Sequence, residues 1–255
     1  MRCPVAADAE GEGETMVESF ARVETKYMLD AAQTEMIERA LTAHGFRKSD
    51  FGNPLVQSLY YDTPDKSLIR ESLERPVYKE KLRLRAYGMP NLKSNTFVEI
   101  KKKYRGVVYK RRIALPLEAA ARGLRQGFRG DEAGQVGQEA RWMIERYGLI
   151  PSAVIAYERD AWFSDTDPDV RITFDRNIAY RMWNLDLRLA AQNIPLTRPD
   201  QRLLEVKTNG TYPPWLSRLL WETGVTRTHF SKYGSAYLQD QKEKLWTDIR
   251  RKAVC

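Results

Sequence analysis

The stretch YKEKLRLRAYG, residues 78–88, carries a basic side chain at every second position. Successive side chains of a β-strand point to opposite faces of the sheet. The leucines Leu82 and Leu84 therefore occupy one face of a predicted strand, and all the basic residues share the other. A sheet that contains this strand must bury one face while its other face carries a row of positive charge. The basic residues are Lys79, Lys81, Arg83 and Arg85.

The rest of the chain alternates between predicted strands and predicted helices. At least seven strands, mostly antiparallel, and four or five helices predict an α+β domain. Charged residues at alternate positions recur in most of the strands. The strands are expected at 20–29, 55–62, 78–88, 96–104, 107–115, 152–163, 170–178 and 202–208. The helices are expected at 30–44, within 116–149, from about 213, and at 231–250.

Basic side chains dominate these alternating faces, which restricts how the sheet can be arranged. A flat sheet could leave the charged face in water. A closed barrel could instead point the charges into a wet lumen and pack its apolar face against helices. Two like charges 4 Å apart repel by about 4 kcal/mol at an effective dielectric constant of 20. We therefore expect a closed antiparallel barrel of about eight strands, with helices outside, that binds a polyanion through Arg and Lys.

Three glutamates lie on these faces, each two residues before a lysine. One interpretation is that each glutamate only balances the charge of its lysine. The other is that they hold Mg²⁺ or Mn²⁺, which prefer carboxylate oxygens together with substrate phosphate oxygens. Metal-assisted phosphoryl transfer needs that combination, and the sequence has no Gly-rich loop ending in Gly-Lys-Ser/Thr. The pairs are Glu24 and Lys26, Glu99 and Lys101, and Glu205 and Lys207.

Charge and composition set the remaining boundaries. The 255 residues carry a net charge of +8, which favours an anionic partner. Residues 1–19 are acidic and poor in apolar side chains, so we expect a disordered tail followed by one domain over 20–250. The two cysteines, Cys3 and Cys255, lie at opposite ends of the chain and are not expected to make a disulfide framework or a metal site. No long apolar run predicts a membrane segment. A cytoplasmic location is expected.

The ordered set of charged segments resembles the VTC (vacuolar transporter chaperone) domain. This family is the polyphosphate polymerase branch of the triphosphate tunnel metalloenzymes, also called CYTH-like proteins. The resemblance implies a barrel whose basic lumen binds ATP, triphosphate or polyphosphate, with a divalent metal held by acidic side chains. The matching segments are VETKYML, SLYYDT, EKLRLRAYG, FVEIKKKYRGVVYKRRIAL, YERDAWF, VRITFDRNI, LLEVKTNG and THFSKYGSAYL.

The resemblance also implies individual roles. The implied cofactor is Mn²⁺ or Mg²⁺, and the implied reaction moves the terminal phosphate of ATP onto a polyphosphate chain. The catalytic cations by this resemblance are Lys26, Arg83, Arg85, Lys101, Lys110, Arg171 and Lys232. The further substrate-binding residues are Lys81, Lys103, Arg112, Lys207 and His229. The metal ligand by this resemblance is Glu205, and the alternating pattern adds Glu24 and Glu99 as candidate metal ligands.

Two positions depart from the family pattern. The superfamily often begins with Glu-x-Glu-x-Lys, but this chain has Arg22 at the first of these positions. Family members can also carry a lysine where this chain has His229. The first departure reduces the metal-binding capacity of that strand, and the second weakens the basic end of the tunnel.

Two other functions remain open at this point. A protein of the same fold could hydrolyse triphosphate or nucleoside triphosphates, or it could bind polyphosphate without catalysis. A nucleic-acid-binding protein is not expected, because alternation hides the cations on one face of each strand rather than spreading them over the surface. The sequence does not indicate an oligomeric state.

Overall fold

The computed structural model describes residues 16–20, 23–50, 54–105, 107–128 and 132–253. Its strands are β1 (Met16–Phe20), β2 (Val23–Leu29), β3 (Arg47–Lys48), β4 (Leu55–Asp62), β5 (Tyr78–Tyr87), β6 (Asn95–Tyr104), β7 (Val107–Pro116), β8 (Ile150–Phe163), β9 (Arg171–Arg181), β10 (Ile194–Pro195) and β11 (Arg202–Thr208). Its helices are α1 (Ala31–Ala43), α2 (Ser67–Leu73), α3 (Leu117–Gln126), α4 (Gly134–Tyr147), α5 (Pro214–Glu222) and α6 (Lys232–Ala253).

The secondary structure confirms the predicted α+β class. Each strand predicted from residue 55 onward is present, with bounds close to the expected ones. The first predicted helix is α1, and Asp30 caps it as expected: its Oδ1 accepts a hydrogen bond from the Gln33 backbone N–H at 2.8 Å. The short strands β3 and β10 were not predicted, because two residues are too few to show an alternating pattern.

All the strands belong to one antiparallel sheet that curls strongly. The strand order is β1-β7-β6-β5-β4-β8-β9-β11-β2, with β10 beside β9 and β3 beside β8. Strands β1 and β2 lie at opposite ends of this order, although only two residues separate them in the chain. Three consecutive Cα–Cα steps span at most about 11 Å. The covalent connection therefore brings the two edges of the sheet close to each other.

The prediction of a closed barrel is wrong, because the sheet stays open between its edges. No hydrogen-bonded ladder joins β1 to β2 in the part of the chain that the structure describes. Tyr27 of β2 instead forms an isolated antiparallel bridge with Arg227. The Thr228 N–H also donates to the Lys26 carbonyl at 2.8 Å. The segment that leads into α6 thus occupies the edge of β2 where a closing strand would pair.

The apolar face of the sheet packs against helices, as the alternation predicts. Leu82 and Leu84 are 0% and 2% exposed, in a cluster that includes Leu124 of α3 and Met143 of α4. A second cluster joins β2, β9 and β11 to α1 and α5. Burial of these side chains provides most of the driving force for folding. It also leaves the opposite face of the strands free for charged groups.

Helix α6 is fixed to the sheet through its first turn. The Tyr233 ring stacks on the Tyr60 ring with centroids 4.7 Å apart, and its hydroxyl donates to Asp62 Oδ2 at 2.8 Å. Asp62 is fully buried and also accepts from the backbone N–H groups of Leu68 and Ile69 in α2. These contacts place Lys232, the first residue of α6, beside the concave face of the sheet.

The predicted tail lies mostly outside the described residues. Its last four positions, 16–19, belong to β1, which pairs antiparallel with β7 and places Met16 opposite Arg112. Arg22, Cys3 and Cys255 also lie outside the described residues. Among the helices of the described part, none has the length and apolar character that crossing a membrane requires.

Neighbouring residues of β5 test the assignment of its two faces. We expect Leu82→Ala to lower the free energy of unfolding by about 2–5 kcal/mol, because it leaves a cavity under α3 and α4. Lys81→Ala should not lower it, because Lys81 faces other cations and its truncation removes repulsion. Urea denaturation of both variants measures this difference. Equal losses of stability would contradict the assignment.

Candidate functional site

The concave face of the sheet, which we call the hollow, collects charged side chains from seven strands and from α6. Lys101 of β6 and Glu24 of β2 lie near opposite ends of the strand order, yet their charged groups are 3.6 Å apart. This ion pair spans the hollow. The cations that line it are Lys26, Lys81, Arg83, Arg85, Lys101, Lys110, Arg159, Lys207 and Lys232. The carboxylates are Glu24, Glu99, Asp175 and Glu205.

One group of charges surrounds Glu99 on β6, which is 1% exposed. Its carboxylate lies 2.6 Å from Arg83, 3.7 Å from Arg85 and 2.9 Å from Lys110. Burial opposes ionisation of Glu99, but the attraction of Arg83, Arg85 and Lys110 outweighs burial and holds its pKa well below the usual value. Arg83 also donates to the Tyr60 hydroxyl at 2.9 Å. A single negative charge thus holds three cations in place.

A second group surrounds Glu205 on β11. Lys232, Lys26 and Arg159 lie 2.9, 3.2 and 3.2 Å from its carboxylate oxygens. Burial raises the pKa of Glu205, but these cations, led by Lys232, outweigh burial and lower the pKa well below its usual value. Lys232 of α6 also contacts Asp175, which is fully buried. The Asp175 Oδ2 atom lies 2.5 Å from Lys232 Nζ.

Arg159 fixes the position of Asp175 by a bidentate contact. Its Nε and Nη2 donate to the two Asp175 oxygens at 2.6 and 2.7 Å. Its guanidinium also lies 5.2 Å from the Tyr157 ring centroid, and the Lys232 ammonium lies 4.6 Å from the same ring. The Tyr157 hydroxyl accepts from Arg85 Nη2 at 3.3 Å. Tyr157 therefore joins the group around Glu205 to the group around Glu99.

Two lysines of the hollow have lowered pKa values and remain partly exposed, which indicates that the surface there is concave. Burial lowers the pKa of Lys81 to about 8 and the pKa of Lys207 to about 8. The Lys207 side chain nevertheless keeps 29% of its surface exposed. A group that protein surrounds but water still reaches lies in a concavity. Since nine cations face four carboxylates there, the hollow has an excess of positive charge that a bound polyanion would neutralise.

Two of the three predicted metal ligands lie together. The Lys26 ammonium lies 3.3 Å from Glu24 and 3.2 Å from Glu205, so one cation bridges both carboxylates. Glu99 shares none of its ion-pair partners with them. Among the described residues, no cluster of three Asp, Glu, His or Cys side chains could hold a metal ion by itself. Glu24 and Glu205 fit a metal whose remaining ligands are phosphate oxygens and water, the usual arrangement for Mg²⁺.

The remaining predicted residues lie at the rim. Arg112 of β7 holds its guanidinium 5.1 Å from the Phe97 ring centroid. Lys103 is exposed and pairs in register with Lys79, and Arg171 is exposed and pairs in register with Lys207. His229 is exposed on the segment between the edge of β2 and α6. The structure therefore brings most of the predicted cations together. In the part that it describes, Lys81 lines the hollow without an ion pair, and the ion-pair network also leaves out Lys103, Arg112, Arg171 and His229.

Sequence reasoning missed Arg159, Asp175, Tyr60 and Tyr157. Arg159 lies on the same face of β8 as Tyr157. Glu158 and Asp160 place charge on the other face as well, so the sequence of this strand shows no single charged face. Asp175 carried a usable signal, because it lies four residues after Arg171 on the same strand face. The two tyrosines look like ordinary core residues until the arginines beside them are known.

A family model described as the VTC domain matches residues 21–239 of the chain. The chain belongs to the VTC domain family. The match covers every strand of the sheet except β1, together with the start of α6. No curated protein sequence matches the chain.

Several solved structures share features with this VTC domain at low similarity. A candidate adenylate cyclase from Vibrio parahaemolyticus has 15% identity and a TM-score of 0.45, over 86% of this chain and 99% of the other. One from Bacillus halodurans has 13% identity and a TM-score of 0.49, over 84% and 95%. A candidate adenylyl cyclase from Hippeastrum with a dominant triphosphatase activity has 14% identity and a TM-score of 0.45, over 83% and 93%. Family membership rests on the match over residues 21–239 and not on these structures.

The role of Glu99 in the VTC domain can be tested by removing its charge. We expect Glu99→Gln to destabilise the protein by about 3–5 kcal/mol, because Arg83, Arg85 and Lys110 lose their counter-charge. Saturating tripolyphosphate should restore much of this loss, which thermal unfolding with and without ligand would measure. Glu139→Gln is the control, since Glu139 pairs with Lys102 and Arg111 on the outer face. Equal rescue of both variants by the ligand would contradict the assignment.

The lowered lysine pKa values predict how ligand binding depends on pH. A bound anion favours the protonated lysine, so binding is supported below pH 8 and this support is lost as pH rises through the pKa of about 8 at Lys81 and Lys207. Calorimetric titration with tripolyphosphate between pH 7 and 9.5 measures the effect. Lys81→Arg, which stays charged, should show a weaker dependence and separates the lysine from the titration of the ligand. An identical pH profile for both proteins would exclude Lys81 as the cause.

Proposed function

We propose that this chain catalyses metal-dependent phosphoryl transfer on ATP and polyphosphate in the hollow, as a polyphosphate polymerase-like phosphotransferase. The observation that carries the proposal is the convergence of nine cations, from six strands and one helix, on one concave surface with only four carboxylates. Membership of the VTC domain family supports the same chemistry.

The cations would bind and orient the phosphates. Arg83 and Arg85 present forked donors that match phosphate oxygens, and the lysines supply mobile point charges. Phosphoryl transfer proceeds through a transition state with charge spread over the transferred group, so preorganised positive charge lowers its barrier. Glu99, which is 1% exposed, keeps Arg83, Arg85 and Lys110 in position before the substrate arrives.

Glu24 and Glu205 are the residues that would hold Mn²⁺ or Mg²⁺. When bound, the metal would neutralise charge on the phosphate oxygens. The Lys26 ammonium now lies between these two carboxylates. In the loaded enzyme Lys26 would turn to a phosphate oxygen, so that each carboxylate and each ammonium keeps an opposite charge beside it. Lys232 would make a similar exchange, from Glu205 to phosphate, while Asp175 still holds its side chain near the hollow.

Hydrolysis of triphosphate or nucleoside triphosphates is the second candidate. The sheet is open between β1 and β2 within the described residues. Residues 227–228 pair with the edge of β2, so the opening lies between β1 and this segment. Water that enters there could compete with a polyphosphate end as the acceptor of the phosphoryl group. Purified protein with ATP and Mn²⁺ should give long polyphosphate in the first case and only free phosphate in the second. Gel electrophoresis of the products together with a phosphate assay separates the two.

A non-catalytic polyphosphate-binding module would use Glu205 only to balance its four cations. Glu205→Gln distinguishes this from catalysis: we expect metal-dependent turnover to fall by at least about 100-fold. Affinity for tripolyphosphate without metal should be kept or increased, because the variant removes a negative charge from the hollow. Glu80→Gln is a matched control, because Glu80 is equally buried but lies on the outer face with Tyr78 and Tyr147. Unchanged turnover of Glu205→Gln would refute its proposed role as a metal ligand.

A further inference from the structure

The two ends of the hollow differ chemically along β5 and β6. Residues that lie opposite each other on these strands form successive rungs, about 7 Å apart. Only the last rung at one end contains an aromatic side chain, whereas the rungs at the other end contain cations alone. The rungs are Arg85 with Phe97, Arg83 with Glu99, Lys81 with Lys101, and Lys79 with Lys103.

The aromatic end has a defined geometry. The Tyr87 ring, two residues beyond Arg85 on the same strand face, meets the Phe97 ring edge-on, with centroids 5.8 Å apart and planes at 82°. The Arg112 guanidinium carbon lies 5.1 Å from the Phe97 centroid. Tyr87 is 47% exposed and Phe97 is half-buried. Aromatic surface and a guanidinium therefore remain accessible at the point where the row of phosphate-binding cations begins.

This combination suits a planar aromatic base. Bases stack on aromatic rings regardless of their sequence, because each has a π-face. An arginine guanidinium stacks on such planes as well. Arg85, directly opposite Phe97, is the first cation of the row that leads to Lys81 and Lys101. A nucleoside triphosphate has the same order, with its base at one end and its phosphates in a line beyond it.

We propose that Tyr87, Phe97 and Arg112 form the subsite for the nucleobase of a nucleoside triphosphate. The triphosphate then runs from Arg85 past Arg83 toward Lys81 and Lys101. The inference rests on the proposed function and adds a direction to it: the terminal phosphate faces the lysine-rich rungs, away from the aromatic end. Because stacking does not read base edges, the subsite accepts ATP and other nucleoside triphosphates alike.

A similar contact between an arginine and an aromatic ring lies on the outer face of β6, the strand that carries Phe97. Arg105 lies 5.3 Å from the Tyr104 ring centroid, close to the distance between Arg112 and Phe97. Tyr104 is 45% exposed but follows Lys103 by one residue, so it points away from the hollow. If an arginine over a ring were enough to bind a base, both pairs would do so. Of these two pairs, the Phe97 pair alone adjoins the cations of the hollow.

The test compares binding of a non-hydrolysable ATP analogue with binding of tripolyphosphate, both without metal, by calorimetry. The variants are Phe97→Leu, Tyr87→Leu and Tyr104→Leu, with thermal unfolding as the check on folding. Phe97→Leu should lower the affinity for the ATP analogue by about 10-fold, within the range measured for loss of one stacking ring. The affinity of the same variant for tripolyphosphate should change by less than about 2-fold. Tyr104→Leu should leave the affinity for both ligands unchanged. Tyr87→Leu alters an exposed ring and gives the same selective loss if Phe97→Leu fails to fold.

The outcomes separate this inference from the proposed function. Selective loss of nucleotide affinity in Phe97→Leu or Tyr87→Leu supports the subsite. Unchanged affinity of the variants for both ligands, or an equal loss for both, overturns the subsite. In that case, tripolyphosphate binding by the wild-type protein still supports the proposed function. If the wild-type protein binds neither ligand, the subsite and the proposed function both fall.

Discussion

Like charges repel one another on the concave face of the sheet, and this repulsion decides how its charged side chains are arranged. Two cations 4 Å apart repel by about 4 kcal/mol at an effective dielectric constant of 20, and nine cations line this surface. Four carboxylates offset part of that repulsion, each placed between several cations rather than in isolated pairs. The remaining excess of positive charge favours binding of a polyanion, and a phosphate chain carries the opposite charge.

Burial of the apolar face of the same strands offsets the repulsion among the cations. Leucines that alternate with the cations are buried under α3 and α4, and a second apolar layer joins the sheet to α1 and α5. Their burial stabilises the fold whether or not a ligand is present. Only two residues separate β1 from β2 in the chain, so the covalent connection keeps the two edges of the sheet close to each other.

The sequence predicts the faces of single strands well but does not predict contacts between distant strands. The alternation in β5 correctly separates Arg83 from Leu82, because a two-residue period is a local property of extended backbone. The charge pair of Lys101 with Glu24 crosses the hollow and has no local signal. The same holds for the open edge, which depends on where the residues before α6 pass. The role of Arg159 was not predicted, because Glu158 and Asp160 give the opposite face of β8 charge as well.

Lysine footprinting tests whether a phosphate chain binds inside the hollow. The protein is acetylated briefly with and without tripolyphosphate, and the modified positions are quantified by mass spectrometry. We expect selective protection of the lysines of the hollow, while Lys48, Lys93 and Lys244 react equally in both samples. Equal protection of both sets, or protection of the second set alone, would show that the anion binds the exterior and not the hollow. The lysines of the hollow are Lys26, Lys81, Lys101, Lys110, Lys207 and Lys232.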